Sequence, residues 1–166
     1  IYLHIKDTAK YTTEIYPTDT TDTITWTSSN PSVVSVDETG TVKAKKIGSA
    51  KITAKTDSGI KLTRYVRVKL KTPTSVKAVK TSGSTKSYKY SNVKVTWKKN
   101  SSAVKYYIYR RRLGKSKYTK IATTTTNKFI NYNVKKGRTY YYKIVAVYSS
   151  SLCNSYKSPA AKIKLQ

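Results

Sequence analysis

Apolar and polar residues alternate over most of this chain, and no useful length of it shows helical spacing. Side chains of a β-strand point alternately to its two faces, so this pattern predicts strands with one buried face. Turn-forming residues interrupt the pattern about every ten residues. The sequence therefore predicts an all-β fold of two tandem β-sandwiches. The predicted strands of the first half are residues 9–16, 23–28, 33–37, 40–45, 50–56 and 62–70. Those of the second half are residues 75–80, 92–98, 105–111, 117–123, 128–131, 139–148 and 160–165.

A junction between two domains is predicted at residues 71–74, which read Lys-Thr-Pro-Thr. Pro73 has no amide hydrogen to donate, so it interrupts strand pairing, and a new alternating run follows it. We expect two domains, residues 1–71 and residues 72–166. The chain opens inside a strand-like run, without an initiating Met or a signal-like segment, so we expect it to be part of a longer polypeptide.

All the carboxylates of the chain lie in its first 57 residues. Residues 58–166 contain 27 Lys and Arg and no Asp or Glu, so the formal net charge of +27 lies entirely after Asp57. A segment without carboxylates cannot supply the acid pair of a glycosidase or the side-chain oxygens of a calcium site. Uncompensated like charge also destabilises a compact domain, and a strong positive field attracts polyanions. The charge therefore favours contact with an anionic polymer.

Residues that could support catalysis or bind a metal are scarce. His4 is the only histidine, and a catalytic triad would need it beside a nucleophile and in front of a carboxylate. Cys153 is the only cysteine, which excludes an internal disulfide, and we expect it to be an unreactive loop thiol. Asp19 and Asp22 share a predicted turn but lack a third carboxylate at calcium-loop spacing. We expect no enzymatic activity, no cofactor and no metal.

Residues 1–71 resemble the bacterial immunoglobulin-like domain group 2. The resemblance rests on the run WTSSNPSVVSVD from Trp26, followed by GTVKA from Gly40 and GSAKITA from Gly48. It implies an immunoglobulin-like β-sandwich in which the usual first strand is missing or shortened before Ile1. The residues expected to point inward are Ile24, Trp26, Ala50, Ile52 and Ala54.

Residues 73–166 look like a fibronectin type III domain. The motifs are VKVTW ending at Trp97, YYIYR ending at Arg110, GRTYYYKIVA from Gly137 and YKSP from Tyr156. In the family pattern Trp97 is a buried anchor, and Tyr140 occupies the position of the tyrosine corner. Asn131 stands where the family often has Asp, which leaves the expected fold intact.

Both families recur as tandem modules in long exported bacterial proteins, and neither is normally catalytic. The resemblance implies a secreted, cell-wall or cell-surface location and a non-catalytic role in adhesion. The expected partner is an anionic polymer or glycan: teichoic acid, a sulfated or sialylated host glycan, or extracellular DNA. We expect a monomer with no transmembrane segment in these residues. Two alternatives stay open, a passive spacer or stalk and an accessory region of a secreted polysaccharide-degrading enzyme. Cytoplasmic nucleic-acid binding is disfavoured because no zinc module, helix-turn-helix or RNP-like motif is present.

The candidate binding surface lies in the second domain. Alternation places Trp97, Tyr106, Ile108, Tyr140, Tyr142, Ile144, Ile163 and Leu165 inward. It turns outward Tyr107, Tyr109 and Arg111, then Tyr141 and Lys143, then Lys162 and Lys164. Such a tyrosine stripe bordered by cations could stack on sugar rings and pair with sulfate, phosphate or carboxylate groups. A solvated sheet stabilised by Tyr–Lys cross-strand pairs is the alternative. A second basic cluster comprises Arg110, Arg111, Arg112, Lys115 and Lys117, and a further loop carries Lys135, Lys136 and Arg138.

Overall fold

A computed structural model describes residues 1–16, 21–81 and 88–166. The described residues form fourteen strands and one short 3-10 helix, which confirms the all-β prediction. The chain divides into two compact units, Ile1–Lys69 and Leu70–Gln166, called unit 1 and unit 2 below. The predicted turn at residues 17–19 and most of the predicted loop at residues 81–91 lie outside the described residues.

Unit 1 is a sandwich of two sheets. One sheet has the strand order β1-β7-β6-β3 and the other β2-β5-β4, and β1 pairs with β7 in parallel. Val34, Val42, Ile52, Val66 and Val68 are almost fully buried between the sheets. The strands are β1 (Tyr2–Leu3), β2 (Thr8–Lys10), β3 (Ile24–Ser28), β4 (Val34–Val36), β5 (Thr41–Ala44), β6 (Gly48–Thr56) and β7 (Lys61–Val68).

The inward alternation of unit 1 is as the sequence predicts. Ala50, Ile52 and Ala54 are buried, and Trp26 packs against the core while Ile24 is half-buried. Trp26 lies against the backbone of Gly40, which has a φ of +80°. A Cβ on that glycine would come within 2.6 Å of the Tyr11 carbonyl oxygen and 2.8 Å of the Trp26 ring. The turn at Gly40 therefore requires a residue with no side chain.

The predicted strand at residues 9–16 is in large part wrong. Only Thr8–Lys10 forms a strand, which pairs with Thr41–Lys43 of β5. The Tyr11 amide still donates to the Gly40 carbonyl at 3.0 Å, but residues 12–16 are not in a strand. The neighbouring strand β5 begins at Thr41, so the chain beyond Tyr11 has no further partner on it.

Unit 2 is also a sandwich, and all seven of its predicted strands are present. Its sheets have the orders β12-β9-β8 and β11-β10-β13-β14. Residues 151–153 form a 3-10 helix within the predicted loop at residues 149–158. The strands are β8 (Lys77–Thr81), β9 (Tyr90–Thr96), β10 (Lys105–Arg112), β11 (Thr119–Thr124), β12 (Lys128–Lys135), β13 (Arg138–Val147) and β14 (Ala161–Leu165).

The core of unit 2 is rich in aromatic residues. Trp97 is buried and meets the ring of Tyr106 edge to face, with 5.2 Å between ring centroids. The Tyr140 hydroxyl donates to the Lys135 carbonyl oxygen at 3.2 Å, which is the hydrogen bond of a tyrosine corner. Ile163 was expected to point inward but is only half-buried, because β14 is an edge strand. The other predicted inward residues of unit 2 are buried.

Candidate functional site

An open cleft of about 570 Å³ lies where β10, β12 and β13 meet at one end of unit 2. Seven of its ten lining residues are cationic, and Thr119, Ile121 and Tyr140 complete the wall. The structure thus brings together the triple-arginine cluster and the loop after β12, which are far apart in sequence. The cations that line this cationic cleft are Arg110, Arg111, Arg112, Lys115, Lys117, Lys135 and Arg138.

Two tight turns position these cations. Gly114, with a φ of +81°, follows the end of β10, and the Lys115 amide donates to the Arg112 carbonyl at 3.1 Å. Gly137, with a φ of +68°, joins β12 directly to β13, so that Lys135 and Arg138 flank the same corner. Strand β10 pairs with β13 so that Arg112 lies opposite Tyr140. The cations at the ends of β10, β12 and β13 therefore lie around the same cleft.

Strand alternation divides the triple arginine between two faces. Arg110 and Arg112 lie on the side of β10 that carries the buried Tyr106 and Ile108, whereas Arg111 lies on the outer side. The Arg110 guanidinium carbon is 5.3 Å from the centroid of the Tyr140 ring. All three arginines line the cleft, and Arg111 also belongs to the outer side of the sheet.

Nothing in unit 2 neutralises the cleft. Unit 2 carries no Asp or Glu, so its side chains offer no carboxylate to pair with. Burial raises the pKa of Tyr142, although the hydrogen bond from Asn131 and the charge of Arg110 oppose the shift. Tyr142 therefore remains an uncharged phenol at neutral pH. Arg112 is exposed and Arg138 is half-buried in the wall of the cleft.

A second basic surface lies on the outer side of the four-stranded sheet of unit 2. Each of its four tyrosines has a cation over its ring. The Arg111 guanidinium carbon is 4.2 Å from the centroid of Tyr141 and 5.3 Å from that of Tyr118. We call this surface the tyrosine face. Its rings are Tyr107, Tyr109, Tyr118 and Tyr141, and its cations are Lys105, Arg111, Lys120, Lys143 and Lys157.

The lysines of the tyrosine face are held in the same way. Lys120 Nζ is 4.4 Å and Lys105 Nζ 5.8 Å from the centroid of Tyr107. The other two contacts join Lys157 to Tyr109 at 4.5 Å and Lys143 to Tyr118 at 5.2 Å. Contacts of this kind are worth about 0.5–1 kcal/mol each when exposed. They give the cations defined positions without any carboxylate.

The remaining predicted residues lie beside these two surfaces. Lys162 and Lys164 are exposed on β14, where Lys162 pairs with Tyr141 of β13. Lys136 is half-buried in the turn after β12, and its amide donates to the Lys89 carbonyl at 2.9 Å. None of these three lysines lines the cationic cleft.

Sequence reasoning missed Lys105, Tyr118, Lys120 and Lys157. The partner of Lys120 on β10 is Tyr109, and a bulge between Ile108 and Tyr109 shifts that register, so alternation alone could not assign it. Tyr118 and Lys157 lie outside strands, where alternation carries no information. For these three residues the high local count of lysines and tyrosines was the only available indication, whereas alternation from Tyr107 places Lys105 on the outer side of β10.

The residues considered for catalysis or metal binding have ordinary local roles. His4 Nδ1 lies 3.5 Å from the Asp7 carboxylate in a partly exposed turn. Cys153 is buried, and its carbonyl accepts a hydrogen bond from the Leu70 amide. In residues 1–16, 21–81 and 88–166, no three His, Cys, Asp or Glu side chains are grouped to hold a metal ion. Asp19 lies outside the described residues, and the Asp22 carboxylate accepts hydrogen bonds from Ser58.

Comparison with known families finds a match for the first unit. Residues 3–66 match the family model of the bacterial Ig-like domain (group 2), as the sequence motifs predicted. An uncharacterized protein of Clostridium acetobutylicum is 40% identical over 67 residues, which cover 40% of this chain and 17% of that protein. The lacto-N-biosidase of Bifidobacterium bifidum is 46% identical over 52 residues, which cover 31% of this chain and 5% of that enzyme. The chain therefore spans less than a fifth of the length of these relatives.

One solved structure agrees with the all-β sandwich fold. A chain of a cytokine receptor complex superposes with a TM-score of 0.55 at 13% identity, covering 75% of this chain and 70% of that one. A fibronectin type III-like protein of Clostridium thermocellum is also similar, at 27% identity and a TM-score of 0.46, covering 58% of this chain and 97% of that one. Ig-like and fibronectin type III-like modules are typical of multi-domain bacterial proteins, including some glycoside hydrolases, and are typically non-catalytic.

The bacterial Ig-like family also bears on location. Domains of this family occur in extracellular bacterial proteins. Among the described residues, no helix has the length and apolar character needed to cross a bilayer.

Proposed function

We propose that unit 2 is a non-catalytic attachment module that binds an anionic polymer in its cationic cleft. One observation carries the proposal: seven Lys and Arg side chains line a single cleft in a unit that has no side-chain carboxylate. Such a concentration of like charge destabilises the folded unit unless it is screened or neutralised. A polymer with regularly spaced anionic groups would neutralise several of these cations at once.

The composition of the cleft suits oxyanions. Arg110, Arg112 and Arg138 present planar guanidinium groups, which bind phosphate, sulfate or carboxylate through two parallel hydrogen bonds. Lysines add point charges around them. Because the cleft is open to solvent, its contacts are screened by salt, so binding would be fast and strongly salt-dependent.

The location of related domains limits the polymers worth testing. Because domains of the bacterial Ig-like family occur in extracellular proteins, the ligand should be one found outside the cell. Teichoic acid, sulfated or sialylated host glycans and extracellular DNA all carry the required anionic groups. On this proposal the chain would attach a secreted or surface-bound parent protein to one of them.

A second candidate function is an accessory role in a polysaccharide-degrading enzyme. The similarity to part of a lacto-N-biosidase favours it. In that case the cationic cleft would hold the parent enzyme near an acidic glycan. A glycosidase domain elsewhere in the parent protein would support this reading over simple attachment.

The test is binding of the whole chain to immobilised heparin, teichoic acid and duplex DNA as salt is raised from about 20 to 150 mM. The cleft variant replaces Arg112, Lys135 and Arg138 by Ala. The control variant replaces Lys77, Lys94 and Lys128 by Ala, three exposed lysines on the other sheet of unit 2.

Both variants lose three positive charges, so only the position of the charge differs between them. We expect the cleft variant to lose most of the binding and the control variant to keep most of it. Equal losses in the two variants, or binding of all three polymers that vanishes at physiological salt, would mean that the charge is generic. The passive spacer would then be the better description.

A further inference from the structure

We propose that the tyrosine face is a second binding surface, which takes single-stranded nucleic acid by stacking bases on its rings and on Arg111. This inference does not rest on the function proposed for the cationic cleft. Its residues lie on the outer side of the sheet, and only Arg111 also lines the cleft.

The face combines two kinds of group, tyrosine rings and cations, on one side of the sheet. Tyr107 and Tyr109 lie on β10 with their side chains on the outer side, and Tyr141 lies on the adjacent strand β13, opposite Arg111. All three tyrosines are only half-buried, so part of each ring is accessible to solvent. Proteins that bind single strands without sequence preference pair aromatic rings, which stack on bases, with cations, which follow the phosphates.

Arg111 provides the most specific feature. Its guanidinium lies over the Tyr141 ring and also near the Tyr118 ring, and its Nη1 donates to the Lys115 carbonyl oxygen at 3.0 Å. These contacts hold the planar group in place before any ligand arrives. A guanidinium plane ordered on an aromatic ring offers a stacking surface for an unpaired base.

The same features favour a single strand over the other polyanions. A duplex keeps its bases stacked inside and would meet the face only through its phosphates, leaving the rings unused. A glycan has no planar ring system that could stack on the Arg111 guanidinium. An unpaired base has a π-face that can stack on the ring and on the guanidinium alike.

The experiment compares two probes that differ only in their bases. Fluorescence anisotropy would measure binding of the whole chain to oligo-dT about 20 nucleotides long, longer than one binding site, and to an abasic oligomer with the same number of phosphates. At about 150 mM salt we expect oligo-dT to bind at least about tenfold more tightly, the effect of one or two stacked bases. Equal affinities for the two probes would overturn the proposal.

Variants test whether the preference for oligo-dT over the abasic oligomer arises from the tyrosine face. Replacing Tyr107, Tyr109 and Tyr141 by Leu should abolish the preference for oligo-dT while heparin binding is retained. Arg111→Lys keeps the charge but removes the plane, so it should reduce the preference. The cleft variant should keep the ratio between the two probes, even if it weakens both.

If the triple variant does not fold, as judged by circular dichroism, the single variants Tyr109→Leu and Tyr141→Leu replace it, and each should lower the ratio. A preference for oligo-dT that persists in these tyrosine variants would overturn the assignment to this face. Loss of heparin binding in the cleft variant tests the proposed function separately, so failure of one proposal can be told from failure of the other.

Discussion

The guanidinium of Arg110 lies over the ring of Tyr140, 5.3 Å from its centroid. Tyr140 also donates its hydroxyl hydrogen to the Lys135 carbonyl, so this one side chain connects an arginine of β10 to the end of β12. Arg110, Tyr140 and Lys135 all line the cationic cleft. The hydrogen bond that closes this corner of the sandwich therefore lies within the wall of the candidate binding site.

Replacing Tyr140 by Phe should destabilise unit 2 without removing the ring beneath Arg110. The Lys135 carbonyl loses its hydrogen-bond donor, and the net value of such a bond is about 1 kcal/mol. Urea unfolding would measure the loss, with Tyr132→Phe as the control, because Tyr132 is exposed. Heparin affinity should change little in both variants. Equal stability of the two variants would show that the corner hydrogen bond contributes nothing.

Gly40→Ala should destabilise unit 1 more than Gly59→Ala does. Both glycines have a positive φ, which costs a residue with a side chain about 1–2 kcal/mol. At Gly40 the new Cβ would also collide with the Tyr11 carbonyl and the Trp26 ring, whereas nothing lies within 4 Å of a Cβ at Gly59. Overpacking of this kind adds about 1–3 kcal/mol. The difference between the two variants in the free energy of unfolding, measured with urea, isolates the contribution of the collision. Equal losses of stability in the two variants would contradict the prediction.

Acid should destabilise unit 1 and leave unit 2 unaffected. The Thr41 amide and the Thr39 hydroxyl hold the pKa of Asp37 below its usual value, and the Thr23 hydroxyl and amide do the same for Asp57. A lowered pKa in the folded state gives stability that is present above the unfolded value of about 3.9 and is lost as the pH falls through the folded value. Unit 2 has neither Asp, Glu nor His.

The two tryptophans allow the acid unfolding of each unit to be measured separately. Trp26 lies in unit 1 and Trp97 in unit 2, so their indole N–H signals in NMR report the two units separately. Between about pH 6 and pH 2, the unfolding temperature should fall for the Trp26 signal and stay level for the Trp97 signal. Asp37→Asn should make the fall shallower. A parallel fall of both signals would contradict the assignment of the effect to these carboxylates.

Alternation predicted the inward side chains of the central strands of unit 2 well because one face of each strand packs in the core. Tyr106 and Ile108 on β10, and Tyr142 and Ile144 on β13, are buried as the period-two rule requires, although Val145–Val147 at the end of β13 are buried in succession. The rule failed at residues 12–16 of unit 1, where the spacing is strand-like but the neighbouring strand β5 offers no partner before Thr41. Whether a segment forms a strand depends also on a neighbouring segment with which it can pair. The alternating pattern of the segment alone does not show whether such a neighbour exists.

The cationic cleft was beyond prediction for a related reason. Arg112 and Lys135 are separated by two strands, and only the turn at Gly137, together with the pairing of β10 with β13, brings them to one corner. Alternation turns Tyr107, Tyr109, Tyr141, Arg111 and Lys143 outward, but it could not assign Lys120 or Lys157. Lys157 reaches Tyr109 from a loop whose course depends on the 3-10 helix before it.

Added salt should stabilise unit 2 more than unit 1. Unit 1 carries all seven carboxylates of the chain beside its cations, whereas the cations of unit 2 have no side chain of opposite charge. Raising NaCl from about 10 to 500 mM shortens the screening length from about 30 Å to a few ångströms and so weakens the repulsion within unit 2. The unfolding temperature read from the Trp97 indole signal should therefore rise by more than that read from Trp26. In the cleft variant, which has three fewer charges, the rise for Trp97 should be smaller. Equal rises for both signals would mean that salt acts through hydrophobic burial in both units, and that repulsion among the cations of unit 2 is not a significant cost to its fold.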